Sequence, residues 1–558
     1  MAKPKVLTEY DPVVKTWNNE GYSACALVGI NSVLLGWSMD ESIDRKDFMG
    51  FAVNRSEYDR TTKELLRKFW LNGKKRFKGE VGDLGLDVRS DQGPFQRFRW
   101  SDYTVHPSRA YTYEVFPMFG KPHDLKRAKP LYLNVLPSEN KVDDVSIYTN
   151  RGVTAAYAYL QRFGNLKPED VQDGAALRWL SRGLKESLID FIDKAKNNEK
   201  LKIAIYEFHD EEVAAAIKAA KGRGVNISIV YDAGKKKSQE KNEHLLKAHG
   251  LKGVSKPRKN VSISHNKYVI HLKNDKPVAV WTGTSNFSSN AFYKQTNQAF
   301  VIENKKMAKA FDDYFAILLK DPQRSKWNFK TDSAQFKIEQ LNIDNRTKIS
   351  DFDLNFSPTS KKHVVQKTID AISKARSAIF VSSPFGLDKD IIDALVSNKK
   401  VIIEYGLVNS TAKNKIGMLK NNNSRFVHPS RLETYMGRAW DAKAFGAHKI
   451  HSKSIVVDPW SNNPTTVFGS ANFSDSSSRN NDENMLISNN PRMAAVVASE
   501  FLRMYDHYRS RMFINDVFKG KKERTYLEED GNKWTKTAFD PKSNSFKYRD
   551  RLVFSGRI

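Results

Sequence analysis

The sequence predicts an α/β protein in which two duplicated α-β-α sandwich halves form one active site behind a β-rich N-terminal domain. Two observations predict the duplicated part, because one sequence motif and one strand-helix-strand pattern each occur twice. A strand-helix-strand pattern over 202–234 recurs over 377–408, and such a crossover is what joins neighbouring parallel strands. A third observation, a series of short apolar and aromatic segments before residue 150, predicts the N-terminal domain.

The N-terminal β-domain is predicted over 1–150. Its strands are expected within 23–39, 48–55 and 94–120, and apolar and polar residues alternate at 111–115. Turn residues separate these segments, as at the end of the third. The pattern predicts a small β-sandwich, most like a fibronectin-type module.

The other boundaries follow from changes in periodicity. A helical connector is predicted over 151–199, because residues 176–192 carry apolar side chains at helical spacing. The first half of the duplication is predicted over 200–335 and the second over 336–515, and a basic extension over 516–558 completes the chain.

Composition narrows the class of partner. The chain has 558 residues and a formal net charge of +28, which favours polyanions such as nucleic acid or an anionic lipid surface. Basic residues alternate with aromatics over 61–80, and nine lysines and arginines fall within 234–260.

The single cysteine, Cys25, excludes an intramolecular disulfide and a cysteine metal site. No signal segment or long apolar run is found, so a cytoplasmic location is expected.

Two copies of one motif carry the candidate chemistry. In each copy a histidine is followed after two residues by lysine, after eighteen by glycine and after twenty-one by asparagine. The matched pairs are His265 and His451, Lys267 and Lys453, Gly283 and Gly469, Thr284 and Ser470, and Asn286 and Asn472. One such pattern alone has little meaning, but its repetition at identical offsets indicates a functional site.

These residue types suit a phosphodiester. A histidine and a lysine at i and i+2 of a strand project from the same face. Lysine supplies a fixed positive charge, and histidine can act as a nucleophile or carry a proton near neutral pH. The hydroxyls of Thr284 and Ser470 and the asparagine amides can donate to phosphate oxygens, while glycine permits a tight backbone. Across a pseudo-twofold axis, one histidine would attack phosphorus and the other would protonate the leaving group.

The motif resembles that of the phospholipase D superfamily, H-x-K-(x)4-D followed by G-[ST]-x-N, twice per active site. The second copy matches in full, with Asp458 as the aspartate, whereas Leu272 stands at that place in the first copy. The resemblance implies a phospholipase D-like fold over 200–515 and an aspartate that supports the fold. It also implies a phosphohistidine intermediate without metal or other cofactor, and a substrate among those of phospholipases, nucleases and lipid synthases.

The resemblance further implies a role for the residues eleven positions after each motif asparagine, Glu483 and Asn297. In the superfamily an acidic residue near this place commonly hydrogen-bonds a catalytic imidazole, often that of the opposite motif. If the residue of each motif bonds to the histidine of the other motif, Glu483 orients His265 and favours it as the nucleophile. Asn297 would then leave His451 less basic, which suits a proton donor. The alternative is a Glu483 that faces solvent.

Other chemistries fit the sequence less well. His265, His271, His448 and His451 could be proposed as metal ligands, but the neighbouring lysines would repel a cation, and no metal is expected. No G-x-S-x-G elbow, G-x-G-x-x-G loop or P-loop is present, so no serine hydrolase or nucleotide cofactor is expected.

The favoured function is a nuclease acting on DNA or RNA, because the basic surface can release counterions from a polyphosphate backbone. The alternative is a phospholipase D acting on membrane phospholipids, with Phe287, Phe292 and Phe473 lining a lipid entry. The second alternative is a module that binds phosphate or nucleic acid without turnover, although both histidine-lysine pairs are intact. One chain carries both motifs, so the site does not require an oligomer.

Overall fold

The computed structural model describes residues 9–152, 156–164, 166–323, 352–359, 361–410, 424–429, 450–543 and 545–558. His448, one of the histidines considered above as a metal ligand, lies outside these ranges.

Two antiparallel sheets enclose an apolar core at the N-terminus. Their strands are β1 (Val13–Trp17), β2 (Tyr22–Val28), β3 (Val33–Met39), β4 (Phe48–Asp59), β5 (Leu65–Trp70), β6 (Asn72–Gly73), β7 (Val88–Arg89), β8 (Arg99–Asp102), β9 (Arg109–Lys121), β10 (Asp124–Arg127) and β11 (Leu131–Val135). One sheet has the order β1-β2-β3-β8 and the other β10-β9-β4-β5, with β11 also on β9, while β6 and β7 pair separately. Trp37, Phe51 and Tyr113 pack together in the buried core.

The N-terminal region is therefore β-rich, as predicted, but the fibronectin-type description is not supported. Strands β1, β2 and β3 are consecutive neighbours in one sheet. In an immunoglobulin-like sandwich the third strand lies in the opposite sheet. Turn residues and alternation predict strands, but they do not specify which sheet each strand joins.

The β-domain also ends earlier than residue 150. The next two strands, β12 (Lys141–Val142) and β13 (Val145–Thr149), belong to the sheet of the first half. Val145 lies opposite Ile302, and both side chains are fully buried in the large central core. These residues belong to the first half because their side chains are buried on its sheet, and no local sequence pattern shows this burial.

The first half is an eight-stranded sheet with helices packed on it. Its helices are α1 (Ala156–Phe163), α2 (Ala175–Ser181), α3 (Leu184–Asp193), α4 (Glu211–Gly222), α5 (Lys236–Ala248) and α6 (Lys305–Leu318), with 3-10 turns at Pro168–Asp170, Gln172–Gly174 and Lys252–Val254 and a π-helical turn at Asn290–Lys294. Its further strands are β14 (Lys200–Ile205), β15 (Asn226–Asp232), β16 (Ser255–Arg258), β18 (Lys267–Lys273), β19 (Lys276–Gly283) and β20 (Gln298–Ile302). A short strand, β17 (Ile263–Ser264), comes just before β18 in the chain. The strand order is β12-β13-β20-β19-β18-β14-β15-β16.

Helix α4 shows how the sequence specifies the crossover. The side chain of Asp210 caps the helix by accepting from the amide of Val213 at 3.1 Å. Val213, Ile217 and Ala220 form the buried stripe against the sheet. Gly224, at φ +84°, then turns the chain into β15.

The second half repeats this arrangement. Its strands are β21 (Asp353–Ser357), β22 (Ala378–Ser382), β23 (Ile403–Leu407), β24 (Ser424–Val427), β25 (Ser454–Val457), β26 (Thr465–Gly469) and β27 (Asn481–Ser488), and its helices are α7 (His363–Ser373), α8 (Lys389–Ser397), α9 (Asp475–Arg479) and α10 (Pro491–Phe518). The sheet order is β21-β27-β26-β25-β22-β23-β24, which matches β13-β20-β19-β18-β14-β15-β16 strand for strand. The duplicated α/β fold predicted from the two motifs is thus confirmed.

The two sheets face each other across one apolar core that includes residues of α6 and α10. The rings of Phe300 on β20 and Phe468 on β26 lie 4.3 Å apart at their centroids. Strand β17 belongs to the first half in sequence, yet it pairs in parallel with β27 of the second half. The halves therefore share backbone hydrogen bonds as well as side-chain packing.

The aspartate difference between the motifs has a structural counterpart. Asp458 is buried and accepts hydrogen bonds from the amides of Arg376, Ser377 and Ala378, which lead into β22. In the first half Leu272 is buried in the core instead. There the carboxylate of Glu199, at the start of the matching strand β14, bonds to Nε2 of the neighbouring His271 at 2.7 Å. In both halves a carboxylate therefore links the ends of these two neighbouring strands, but the carboxylate comes from opposite strands of the pair.

The C-terminal extension folds back onto the N-terminal domain as α11 (Gly531–Phe539) and α12 (Phe546–Phe554). Trp534 lies in the core of the β-domain and its indole N–H donates to the carbonyl of Phe48 at 2.8 Å. Gly36 on β3 allows the close approach of α12, because a Cβ there would lie 1.9 Å from the carbonyl oxygen of Phe554. Among the described helices, none has a segment apolar and long enough to traverse a bilayer.

Candidate active site

The two motifs meet because each half lends a backbone segment to the other. His265 follows β17, and its amide donates to the carbonyl of Asp482 in the second half at 2.9 Å. His451 follows Ile450, which forms a parallel bridge with Thr296 of the first half. The amide of His451 donates to the Thr296 carbonyl at 3.2 Å. Both histidine side chains are largely buried, each residue being 6% exposed.

The carboxylate partner of His265 comes from the opposite half. Nδ1 of His265 donates to the carboxylate of Glu483 at 2.8 Å, and Glu483 is fully buried. The hydroxyls of Ser470 and Ser477 donate to the same carboxylate at 2.8 and 3.1 Å. Because a carboxylate only accepts, Nδ1 carries the proton and Nε2 of a neutral His265 carries the lone pair. Glu483 does not face solvent.

The partner of His451 is an amide in the equivalent place. Nδ1 of His451 lies 2.8 Å from Oδ1 of Asn297. The amide orientation is fixed, since Nδ2 of Asn297 donates to the carbonyl of Ala291 at 2.9 Å. His451 therefore also donates from Nδ1 and has its lone pair on Nε2. The two acceptors differ in charge, since the carboxylate behind His265 is charged and the amide behind His451 is neutral.

The motif hydroxyls lie on the Nδ1 side of the imidazoles, which differs from their predicted role. Thr284 donates to Oδ1 of Asn297 at 2.8 Å, just as Ser470 donates to Glu483. Both residues are fully buried. Their hydroxyl protons are committed to the acceptors that hold the histidines, so they do not reach phosphate oxygens as the sequence analysis expected.

Both motif lysines are fully buried beside their histidines. Nζ of Lys453 donates to the carbonyl of His451 at 2.6 Å, and Nζ of Lys267 makes the same contact with the carbonyl of His265. Nζ of Lys267 also lies 5.1 Å from the centroid of the Tyr206 ring. Each half therefore contributes one buried ammonium group to the site.

Burial and mutual repulsion lower the pKa values of the basic groups. Burial brings the pKa of Lys267 down to about 7, against the opposing charges of Glu483, Glu207 and Asp232. The pKa of Lys453 falls well below its ordinary value through burial and the nearby Lys267. Burial also lowers the pKa of His265, although Glu483 opposes this. A site with these properties gains most from an anion, which would offset the positive charge.

His451 and Glu483 complete this electrostatic pattern. The pKa of His451 lies well below its ordinary value because of burial and of the charges on Lys453, Lys267 and His265. Burial raises the pKa of Glu483, but His265, Lys267 and the hydrogen bond from Ser470 outweigh it, so the net direction is downward. Glu483 is therefore ionised at neutral pH, and it stabilises a positive charge on His265.

The two motif asparagines differ in their surroundings. Nδ2 of Asn286 donates to the carboxylate of Glu207 at 2.6 Å, and its Oδ1 is buried without a hydrogen-bond partner among the described residues. Oδ1 of Asn472 is likewise buried and unpartnered within the described part of the chain. Glu207 was not predicted from the sequence. The available signal was its place just after β14, since ligand sites of α/β sheets lie beyond the carboxyl ends of strands.

Two aromatic side chains at the same strand ends also belong to the site. The ring of Tyr206 lies 5.0 Å from that of His265 between centroids. The ring of Phe385 lies 6.5 Å from that of His451, at an interplanar angle of 89°. Phe385 is 60% exposed. Neither residue was predicted from the sequence.

The motif glycines allow close strand contact. A Cβ on Gly283 would lie 2.3 Å from the carbonyl oxygen of Gln298, and one on Gly469 would lie 2.5 Å from that of Asn484. Gly469 also has φ +141°, a backbone conformation that would be strained in a residue with a side chain. These glycines let the ends of β19 and β26 approach the segments that carry Asn297 and Glu483.

The predicted lipid entry is wrong. Phe287, Phe292 and Phe473 are at most 1% exposed and belong to the two cores under the outer helices. Their apolar surface faces packed side chains, so it cannot line an opening for an acyl chain. His271, considered above as a metal ligand, is buried and bonded to Glu199.

Comparisons with known proteins agree with this description. The family model described as "Cardiolipin synthase, PLD-like domain" matches residues 188–319 and 368–505, one segment for each motif. No curated protein matches the sequence.

Solved structures similar to this chain include Nuc, a phospholipase D family member from Salmonella typhimurium, with 27% identity, a TM-score of 0.22 and coverage of 25% of this chain and 87% of that one. NucT from Helicobacter pylori has 26% identity, a TM-score of 0.22 and coverage of 25% and 90%. Phosphatidylserine synthase from Haemophilus influenzae has 13% identity, a TM-score of 0.40 and coverage of 59% and 85%.

The family model covers both halves of the duplication and both copies of the motif, which the fold brings together in one site. These two matched segments, which hold both motifs, form a duplicated domain of the phospholipase D superfamily.

Proposed function

We propose that this protein is a nuclease that hydrolyses phosphodiesters without a metal ion, through a phosphohistidine on His265. The observation that carries the proposal is the crossed pairing, in which a buried carboxylate supports His265 and an amide supports His451. A carboxylate stabilises the positive charge that an attacking imidazole develops, and a neutral amide stabilises that charge less. This asymmetry supports His265 as the nucleophile.

In the first step Nε2 of His265 attacks phosphorus, a P–N bond forms, and the P–O bond to the leaving group breaks. The leaving oxygen takes a proton from Nε2 of His451. In the second step Nε2 of His451 accepts a proton from water, the hydroxide attacks phosphorus, and the P–N bond breaks. Lys267 and Lys453 stabilise the charge on the phosphoryl oxygens in both steps.

His451 takes up its proton when the substrate binds. In the free protein its pKa is well below the ordinary value, so Nε2 is unprotonated at neutral pH. A phosphodiester anion offsets the charges of Lys267 and Lys453 and raises the pKa of His451. The site thus binds an anion and takes up protons in the same event.

This coupling predicts the pH dependence of anion binding. Anion binding raises the pKa of Lys267, which is about 7 in the free protein. The affinity for the anion is therefore highest below about pH 7, and it falls as the pH rises from there to the higher pKa that Lys267 has in the complex. For sulfate, whose charge is constant above neutrality, we expect the affinity to fall about tenfold per pH unit for each proton taken up. Isothermal titration calorimetry between about pH 6 and pH 9 measures it. Lys267→Arg, which stays protonated, should flatten the dependence, and an affinity equally flat in the wild type would contradict the prediction.

A polynucleotide is favoured as the substrate because basic side chains adjoin the site. Asn242 of α5 accepts from the amide of Phe208 and donates to the carbonyl of Tyr206, both at 2.9 Å. The middle of α5 is therefore hydrogen-bonded to the segment that carries Tyr206 and Glu207, and the first turns of the helix lie near it. The exposed lysines there are Lys235, Lys236, Lys237 and Lys241. They can contact phosphates that flank the one being cleaved.

The other basic stretch, 61–80, contributes less than its sequence suggests. Phe77 is fully buried with Met49 and Leu527, and Trp70 packs on Phe116. Phe69 is 36% exposed, and the guanidinium groups of Arg55 and Arg67 lie 4.6 and 5.2 Å from the centroid of its ring.

A phospholipid is the second candidate substrate, because the matching family model is described as a cardiolipin synthase domain. A lipid enzyme needs an apolar surface where acyl chains can enter. Among the large exposed hydrophobic side chains of the described residues, Phe385 alone contacts motif residues. One ring is a small surface for two chains, so nucleic acid fits better.

The test is cleavage of labelled single- and double-stranded DNA and RNA in excess EDTA, with His265→Asn as the matched variant. We expect the wild type to cut in the presence of the chelator and the variant to bind but not cut. Cleavage of phosphatidylglycerol vesicles without cleavage of any polynucleotide would establish the lipid candidate. Binding of polynucleotide with no turnover on either substrate would indicate the non-catalytic module.

A further inference from the structure

Glu207 is fastened to the first motif by both its backbone and its side chain. Its carbonyl accepts from the amide of Phe287 at 3.0 Å, and its carboxylate accepts from Nδ2 of Asn286 at 2.6 Å. Glu207 also comes just after β14, whose last residue, Ile205, lies opposite Lys267 of β18. The fold therefore holds a carboxylate beside two motif residues, an asparagine and a lysine.

Glu207 differs from the other carboxylates around Lys267 in its exposure. The charges of Glu483, Glu207 and Asp232 all raise the pKa of Lys267 against the effect of burial. Glu483 and Asp232 are 0% and 2% exposed, and Asp232 accepts from the amide of Ser264 at 2.7 Å. Glu207 is partly exposed. Of these three charges, that of Glu207 is the one that a phosphate entering from solvent meets.

The second half has no carboxylate at the matching place. Asp210 and Asp388 are the capping residues of α4 and α8, the helices that follow β14 and β22. Three residues before these caps stand Glu207 and Phe385. The second half thus builds the same strand and helix without a carboxylate, so the fold does not require one there.

A carboxylate beside a phosphate site acts on the charge of the phosphate. A phosphodiester carries one negative charge, whereas a phosphomonoester loses a second proton with a pKa of about 6 and carries nearly two at neutral pH. A fixed negative charge nearby repels the second one. Hydrolysis turns the first kind of ester into the second, so such a group also favours release of the product.

We propose that Glu207 is a specificity-determining residue, which makes the site select singly charged phosphodiesters over doubly charged phosphomonoesters. The substrates are then internal phosphodiester bonds rather than terminal phosphates. The product-release part of this argument rests on the hydrolytic function proposed above, while the selectivity itself is a property of binding.

The experiment measures the binding of two small anions by phosphorus-31 NMR titration. At about pH 8 dimethyl phosphate is singly charged and methyl phosphate doubly charged. In Glu207→Gln the ratio of their affinities should move toward methyl phosphate by about 10- to 100-fold. A ratio is needed because loss of the charge also lowers the pKa of Lys267, which weakens the binding of both anions.

Two further variants separate charge from shape. Glu207→Asp keeps the charge and should keep the ratio of the wild type. Glu303→Gln removes the same charge from an exposed glutamate that pairs with Lys141 and follows the opposite end of β20 from Asn297. This control should also leave the ratio unchanged.

The outcomes separate this proposal from the one it rests on. An unchanged ratio in Glu207→Gln, an equal change in Glu207→Asp, or a Glu207→Gln variant that binds neither anion would overturn the selectivity, even if the wild type hydrolyses polynucleotides. If the wild type shows the expected selectivity but hydrolyses no diester, the selectivity stands and the hydrolytic function fails. If the wild type binds neither anion, both proposals fail.

Discussion

Replacing His451 with asparagine is expected to leave the phosphoryl group on His265. The attack by Nε2 of His265 does not need His451 when the leaving group is a good one, but hydrolysis of the P–N bond needs a base to take the proton from water. With the p-nitrophenyl ester of thymidine phosphate we expect one equivalent of p-nitrophenol in a burst and then almost no turnover. The steady-state rate should fall by about a thousandfold to ten-thousandfold.

The adduct identifies the nucleophile directly. Peptide mapping by mass spectrometry under mildly alkaline conditions should find the phosphoryl group on His265. His265→Asn is the matched control, because it replaces the other imidazole in the same way, and it should give neither burst nor adduct. A label on His451, or a burst in His265→Asn, would reverse the assignment and with it the reasoning from Glu483 and Asn297.

The duplication made the fold and most of the site predictable. His265, Lys267 and Asn286 stand at the same spacing as His451, Lys453 and Asn472, and residues at fixed spacing on equivalent strands must occupy equivalent places. The contact between Glu483 and His265 was implied by the resemblance to the phospholipase D superfamily and not by the spacing of the motifs. The structure places that carboxylate 2.8 Å from Nδ1.

The features that were not predictable depend on contacts between distant segments. Nothing near Thr284 or Ser470 in sequence shows that their hydroxyls point to Asn297 and Glu483 rather than to the substrate. Phe385 and Glu207 lie outside any motif, and only the sheet brings them to the histidines. Trp534 is 486 residues from its hydrogen-bond partner Phe48, which is why the C-terminal extension was not recognised as part of the N-terminal core.

Replacing Glu483 with glutamine is expected to lower kcat/KM by about a hundredfold to ten-thousandfold, as loss of the charged partner of a catalytic histidine does in other enzymes. Glutamine has the shape of glutamate but no negative charge, so the imidazolium-like charge that develops on His265 during attack loses its stabilisation. One of the hydroxyls of Ser470 and Ser477 also loses its acceptor, since a single amide oxygen replaces two carboxylate oxygens.

The pH profile distinguishes this role from a merely structural one. Attack requires an unprotonated Nε2, so kcat/KM falls when the pH drops below the pKa of His265. Glu483 raises that pKa against the effect of burial, and without the carboxylate it falls further. The acid limb of the profile should therefore move to lower pH in Glu483→Gln, even though the rate on the plateau is reduced.

The matched control is Glu500→Gln. Glu500 is also a buried glutamate, but it is paired with Arg182 and Arg503 rather than with a motif residue. Its replacement leaves those two arginines without their carboxylate, so the midpoint of thermal unfolding should fall while the acid limb stays where it is. If Glu483→Gln behaves like this control, with an unmoved limb and a rate within about threefold of the wild type, Glu483 does not support the nucleophile, because loss of the partner of a catalytic base costs far more than that. The nucleophile would then have to be assigned from the trapped adduct alone.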